Sequence, residues 1–226
     1  IAYLGQTKLL RENKKLRNDD HLNVQRGLAN GLLFKVAIIY SYFGQTYHHM
    51  ESSLAAIEST KGDRTKEPWE VVRAFANLPA PVTFSSEEMG MLLSLREDEL
   101  FNLLFPLDGQ HGALLDILNL LNQERTQLFA QIPYLEFEDG NVRFSLDNQQ
   151  TLALRPSMTL VNELTMTAYD WSRRDFESSQ RALIELQRAF TEKLGMKYEL
   201  KLVEVAERRI QSGSFEPENH ADGASS

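Results

Sequence analysis

The chain contains no cysteine, and that absence removes a whole block of chemistry. Disulfide frameworks, thiolate nucleophiles, zinc ribbons and iron–sulfur clusters all need a thiol. Proline is sparse, at 7 of 226 residues, and glycine numbers 12, so long helices are not broken often. No uncharged apolar run approaches the ~20 residues a membrane-spanning helix needs. The most apolar stretch, Leu32 to Phe43, holds Lys35 inside it, so the sequence predicts no span within the chain. Positive charge is in deficit: 24 Lys and Arg face 32 Asp and Glu, for a net of −8. That balance argues against nucleic acid as a partner, because phosphate neutralisation needs a basic surface.

The familiar loops for phosphate and dinucleotide cofactors are missing too. Neither G-x-x-x-x-G-K-[ST] nor G-x-G-x-x-G occurs, and G-x-S-x-G and H-E-x-x-H are also absent. No cofactor and no metal is expected from these patterns.

What is present is material for a large helical core. Hydrophobic residues make up 42% and charged residues 25%, a globular balance. A chain of this length can bury roughly 70% of its unfolded surface. From Tyr3 to about Ser59 there is no proline, and Leu28, Leu32, Val36, Ile39, Phe43, Tyr47, Met50, Leu54 and Ile57 recur at steps of three and four. This is a heptad-like stripe, and it predicts one long helix with a bend near Gly27 to Gly31. Upstream the stripe thins to Leu9, Leu16 and Leu22 or Val24.

The same upstream stretch is basic. Lys8, Arg11, Lys14, Lys15 and Arg17 stand against Glu12 alone, just after the apolar opening Ile1 to Gln6. An apolar end followed by clustered cations is how a helix meets the cytoplasmic face of a membrane. The expectation is a membrane anchor upstream of Ile1, a juxtamembrane stalk over residues 1–27, and localisation at the cytoplasmic side of the cell membrane. A cytoplasmic protein with a solvated basic helix is the alternative.

Downstream, Thr60 to Glu67 reads as a loop, and Pro68 opens a short helix to about Leu78 with Trp69, Val72, Phe75 and Ala76 on one face. Ser85 and Glu88 form a capping box that starts a helix carrying Met89, Leu92, Leu93 and Leu95. Glu97-Asp98-Glu99 begins another, which Pro106 ends. Asp108 is the expected N-cap of a helix from Gly109 to Gln131, with Glu124 and Arg125 on its solvated side.

After Pro133 the period changes to two. Leu135 and Phe137, then Val142, Phe144 and Leu146, flank Asp139-Gly140, a hairpin signal over 134–146. Pro156 is expected to open a helix from Ser157 to about Leu194, with a break near Trp171 to Asp175 and Gly195 as its C-cap. A third strand could lie near 197–205, and the tail 211–226 should be disordered. The fold class is therefore mainly α: an antiparallel helical bundle with a long N-terminal helix and a small antiparallel β element. The domain, on this pattern, spans 28–210.

Candidate site residues are few. His48 and Glu51, at i and i+3, could share an ion, but two ligands do not close a site. His111 near Asp108 and Asp116 suggests acid–base chemistry, and equally a residue beside a helix cap. Arg173-Arg174 beside Asp175 and Glu177 could grip an anion, or form a solvated ion-pair cluster. Trp69 and Trp171 are expected in packing rather than in a ligand cage. The catalytic candidates are thus His48, Glu51, His111 and Arg173, none in a recognised catalytic pattern. The leading expectation is a non-enzymatic membrane-tethered interaction module, binding a protein partner or a second copy through its N-terminal helix. A soluble adaptor domain of a larger chain, or an enzyme with its site inside the bundle, are the competing classes.

Overall fold

A computed structural model describes residues 2–59, 66–133, 135–138 and 141–198. The protein is mainly α. The elements run α1 (Ala2–Ser59), α2 (Pro68–Val71), α3 (Ser86–Ser94), α4 (Asp98–Leu104), α5 (Leu107–Gln131), β1 (Leu135–Glu138), β2 (Asn141–Phe144) and α6 (Asn148–Leu194). Residues 1–196 form one compact unit, and 197–226 a second, of which only Lys197 and Tyr198 are described, without regular structure. The expected third strand near 197–205 and the tail 211–226 fall almost wholly outside the described residues, as do 60–65 of the expected loop.

Helix α1 runs without interruption, and its apolar stripe is the core. Leu32, Val36, Ile39, Phe43 and Met50 have no exposed surface. By length and composition alone, α1 holds a stretch within Arg11–Ala55 apolar enough to cross a membrane. That differs from the sequence expectation, because an averaged window tolerates Lys35. Within that stretch Leu32, Val36, Ile39 and Phe43 are packed inside the protein, while Phe34 and Ile38 are exposed.

The main partner of α1 is α6. Arg26 donates to the Leu194 carbonyl from Nε at 3.0 Å and Nη2 at 2.9 Å. Tyr40 stacks on Phe176 at 5.0 Å between ring centres, and Tyr47 meets Tyr169 at 5.7 Å. Residue numbers rise along one helix as they fall along the other. The buried stripe of α6 is small and partly polar: Thr165, Ala168, Ser172, Asp175, Ser179 and Ala182. Its hydroxyls cost little, since Thr165 donates to the Val161 carbonyl, Ser172 to Tyr169 and Ser179 to Phe176 within the helix itself. Gly44 lets the helices approach closely there. A methyl at that position would come within 2.8 Å of the Phe176 ring.

A second apolar cluster joins α2, α5 and α6 through Trp69, Leu121, Leu128, Ile132, Leu154 and Val161. Strands β1 and β2 pair antiparallel with Leu135 opposite Phe144 and Glu138 opposite Asn141, and Phe144 stacks on Trp69 at 5.6 Å. The turn residues Asp139 and Gly140 lie outside the described residues.

Several boundaries differ from the sequence expectation. Helix α2 stops at Val71, not Leu78, because tertiary hydrogen bonds capture the backbone that would continue it. Arg125 Nη1 donates to the Val72 carbonyl, while Asn122 both accepts from the Phe75 amide at 3.2 Å and donates to its carbonyl at 2.7 Å. Arg125 is therefore buried rather than solvated. Helix α5 begins at Leu107 with Pro106 in the N-cap position, so Asp108 sits inside the first turn. Its carboxylate instead accepts from Phe84 N at 3.4 Å and Gly109 N at 2.8 Å.

Helix α6 begins nine residues before Ser157. Asp147 and Gln150 form a complete capping box at its start, which overrides the proline signal, and Pro156 is carried inside. No break occurs at Trp171 to Asp175. The other capping box, Ser85 with Glu88, starts α3, and Gly195 ends α6 at φ +63°.

Candidate functional site

Three places gather polar side chains. The first is the half-buried seam where α1 meets α6. Tyr47 donates its hydroxyl to Glu51 Oε1 at 2.5 Å, and His48 Nδ1 lies 3.4 Å from Glu51 Oε2. Phe176 stacks on Tyr47 and meets the edge of His48 at 5.6 Å. The bond to Glu51, then burial, then the Glu51 charge push the Tyr47 hydroxyl pKa far up, with Arg173 opposing weakly. So His48, Glu51 and Arg173 do share one neighbourhood. Its chemistry is modest. Tyr47 is held protonated, and the exposed Arg173 lies 3.8 Å from Glu177. Among the described residues no three His, Asp or Glu side chains are placed to hold a metal ion.

His111 is elsewhere. It is 0% exposed, with Tyr42 at 5.3 Å and Phe43 at 5.9 Å edge-on to its ring. Its Nδ1 accepts from the Val82 amide at 3.2 Å, which requires a neutral ring with the proton on Nε2. Burial lowers its pKa. The ring thus pins the extended segment after Pro81 against α1 and α5, and no contact links it to His48, Glu51 or Arg173. Asp116 is exposed, while Asp108 serves the Phe84 amide. Arg174 is already committed, at 2.7 Å from a fully buried Asp175, so the Arg173-Arg174 pair does not form an open anion clamp.

Two cavities were not foreseen. One of about 430 Å³ lies between α1 and the extended segment 74–79. Tyr42, Gln45, Thr46 and His49 wall it from α1, opposite Phe75 and Asn77, the latter at φ 55°. The spacing i, i+3, i+4, i+7 was readable as a helical face, yet nothing in it told that the face borders a void. The other, of about 390 Å³, lies where α2 meets the first turns of α6. Glu67, Trp69, Leu152, Arg155, Met158 and Asn162 line it. Trp69 is 1% exposed and Phe129 also flanks its ring, in agreement with a packing role. Trp171 is half-buried, with the Arg174 guanidinium 5.9 Å from its ring centre.

The chain matches no protein-family model, no curated protein and no solved structure.

Proposed function

We propose that this protein is a non-enzymatic helical interaction module, an antiparallel bundle with a small β element, tethered at the cytoplasmic face of a membrane. The observation that carries this reading is the first part of α1. Every residue from Arg11 to His21 is exposed, although the helix is continuous there. Packing begins only near Gln25, which donates to Ser94, and at Arg26. A helical arm therefore extends from the body carrying Arg11, Lys14, Lys15 and Arg17. Each such cation near an anionic leaflet contributes about 1 kcal/mol. On this reading residues 1–27 are the stalk and 28–210 the domain. Leu16 at 61% and Val24 at 62% exposure give the arm apolar positions for a partner helix or a second copy.

The test is co-sedimentation of the full chain with vesicles of neutral lipid alone and of neutral lipid plus phosphatidylserine. Binding is expected only to the anionic vesicles. It should weaken as salt rises and vanish in the combined variant Lys14→Glu, Lys15→Glu and Arg17→Glu. Equal recovery with both vesicle types, or no loss in the variant, would replace this reading with a soluble adaptor domain.

A further inference from the structure

Helix α1 presents an uncharged face to solvent along its packed length. Between Leu22 and Met50 its exposed positions hold no charged residue. Val24, Phe34 and Ile38 are apolar there, Phe34 with 68% of its surface exposed, and Gly27 bears no side chain. The others, Asn23, Asn30, Ser41 and Gln45, carry amides or a hydroxyl. Arg26 and Lys35 supply the positive charge in this stretch, and both turn inward, Arg26 to the Leu194 carbonyl and Lys35 to Glu88 at 2.7 Å. Other helical surfaces of the molecule differ. The arm from Arg11 to His21 is rich in charge, and the exposed positions of α6 include Arg155, Glu163, Asp170, Arg173, Glu177 and Arg181.

Leaving Val24 aside, the exposed positions from Asn23 to Gln45 follow one another at steps of three and four. They form one stripe, in which Phe34 and Ile38 stand about 200° round the helix from Leu32 and Val36 of the core. A helix without a charged face is usually covered all round, and the centres of interfaces are depleted of charge in the same way. A methyl added at Gly27 would meet nothing within 4 Å, so a second backbone can come close there.

We propose that this stripe is covered by the same stripe of a second copy, α1 against α1, in an isologous dimer. Charge selects that occupant. Each copy carries a net −8, so copies repel where their charged surfaces meet, yet along this stripe neither presents a charge. A strongly charged partner would gain nothing here. Amides and hydroxyls both donate and accept, so a row of them pairs with its own kind. Lipid is a poorer match, because those groups would lose water without gaining partners. The stripe measures about 33 Å by 10 Å, a few hundred Å² per copy against roughly 800 Å² for a standard interface. The dimer is therefore weak, with half-association expected at tens of micromolar. The pairing uses the packed part of α1, so it goes beyond the tethering and does not depend on it.

The experiment is sedimentation equilibrium of the full chain from about 1 to about 500 µM. The parent should pass from monomer to dimer, and added salt should not weaken the dimer. Phe34→Glu and Ser41→Lys each place a charge on the stripe and should weaken it at least about tenfold. Both positions are exposed, so circular dichroism and melting temperature should match the parent. Leu152→Glu, at a position 69% exposed but on α6, should dimerise as the parent does. The proposal is overturned if the parent stays monomeric throughout, or if either stripe variant dimerises as tightly. Equal loss in Leu152→Glu, or a dimer that dissociates as salt rises, places the contact elsewhere and overturns it too. So does a monomeric parent that neutral vesicles pellet unless Phe34 is replaced, since the stripe would then belong to lipid. Dimerisation is read without vesicles, so its failure and that of the tether are separate results.

Discussion

The two parts of α1 obey the same backbone geometry for opposite reasons. Between Ala29 and Met50 the helix is held by what touches it: six apolar side chains with no exposed surface, Lys35 at 2.7 Å from Glu88, and the aromatic contacts to α6. Between Arg11 and His21 every residue is exposed. There the helix rests on intrinsic propensity and on continuation from the packed part, since nucleation has already been met. Helical periodicity alone does not separate the two. What separates them is whether the opposite side of the stripe exists, and that information lies about 130 residues further along the chain, in α6.

The sharpest way to break the comparison is to make the same kind of truncation in both parts. Phe43→Ala should destabilise the protein by about 3–5 kcal/mol, because a fully buried ring leaves a cavity. Urea unfolding followed by circular dichroism reads this directly. Gly44→Ala comes next. The added methyl would sit 2.8 Å from Phe176, so the ring must move, at roughly 1–3 kcal/mol. Phe176→Leu in the same chain should recover most of that loss, which a double-mutant cycle measures.

A smaller effect concerns pH. Burial lowers the His111 imidazole below its ordinary 6.5 in the folded protein, so on acidification the unfolded chain takes up the proton first. Stability should be constant above about 6.5, fall as pH drops from there, and level off below the folded value. The His111→Gln variant should show a flatter profile of urea midpoint against pH over that window. The smallest effect is expected in the arm, where Leu16→Ala should change stability by no more than about 0.5 kcal/mol. A loss comparable with that of Phe43→Ala would mean the arm is packed in solution, and the contrast between the two parts would collapse.

The features legible in the sequence were those set by neighbours a few residues away. Ser85 and Glu88 announce the start of α3, and Gly195 marks the end of α6, because both motifs are local. The stripe from Leu32 to Met50 was legible for the same reason. The misreadings came from contacts across the fold. Nothing near Arg125 signals that its guanidinium will reach the Val72 carbonyl, and burial lowers its pKa to about 10 without removing its charge at neutral pH. Asn122 likewise holds Phe75, just past the end of α2, from 47 positions away. At the start of α6 two local signals compete, and the Asp147–Gln150 capping box prevails over Pro156, which is carried inside the helix.

The candidate site divides in the same manner. His48 and Glu51 are one turn apart and stayed together, whereas the second cavity assembles Glu67 with Asn162 from distant elements. No spacing rule could have joined them.

The Arg26 clamp on the Leu194 carbonyl has a topological consequence. The packed body enters at Arg26 and leaves at Leu194, and these two points are in hydrogen-bond contact. A body whose entry and exit adjoin behaves as a cassette: it can be spliced into a surface loop of a host protein without prying the host apart. By the same token, a short linker could close the two points and new ends could be opened elsewhere, a circular permutation that leaves the interior undisturbed.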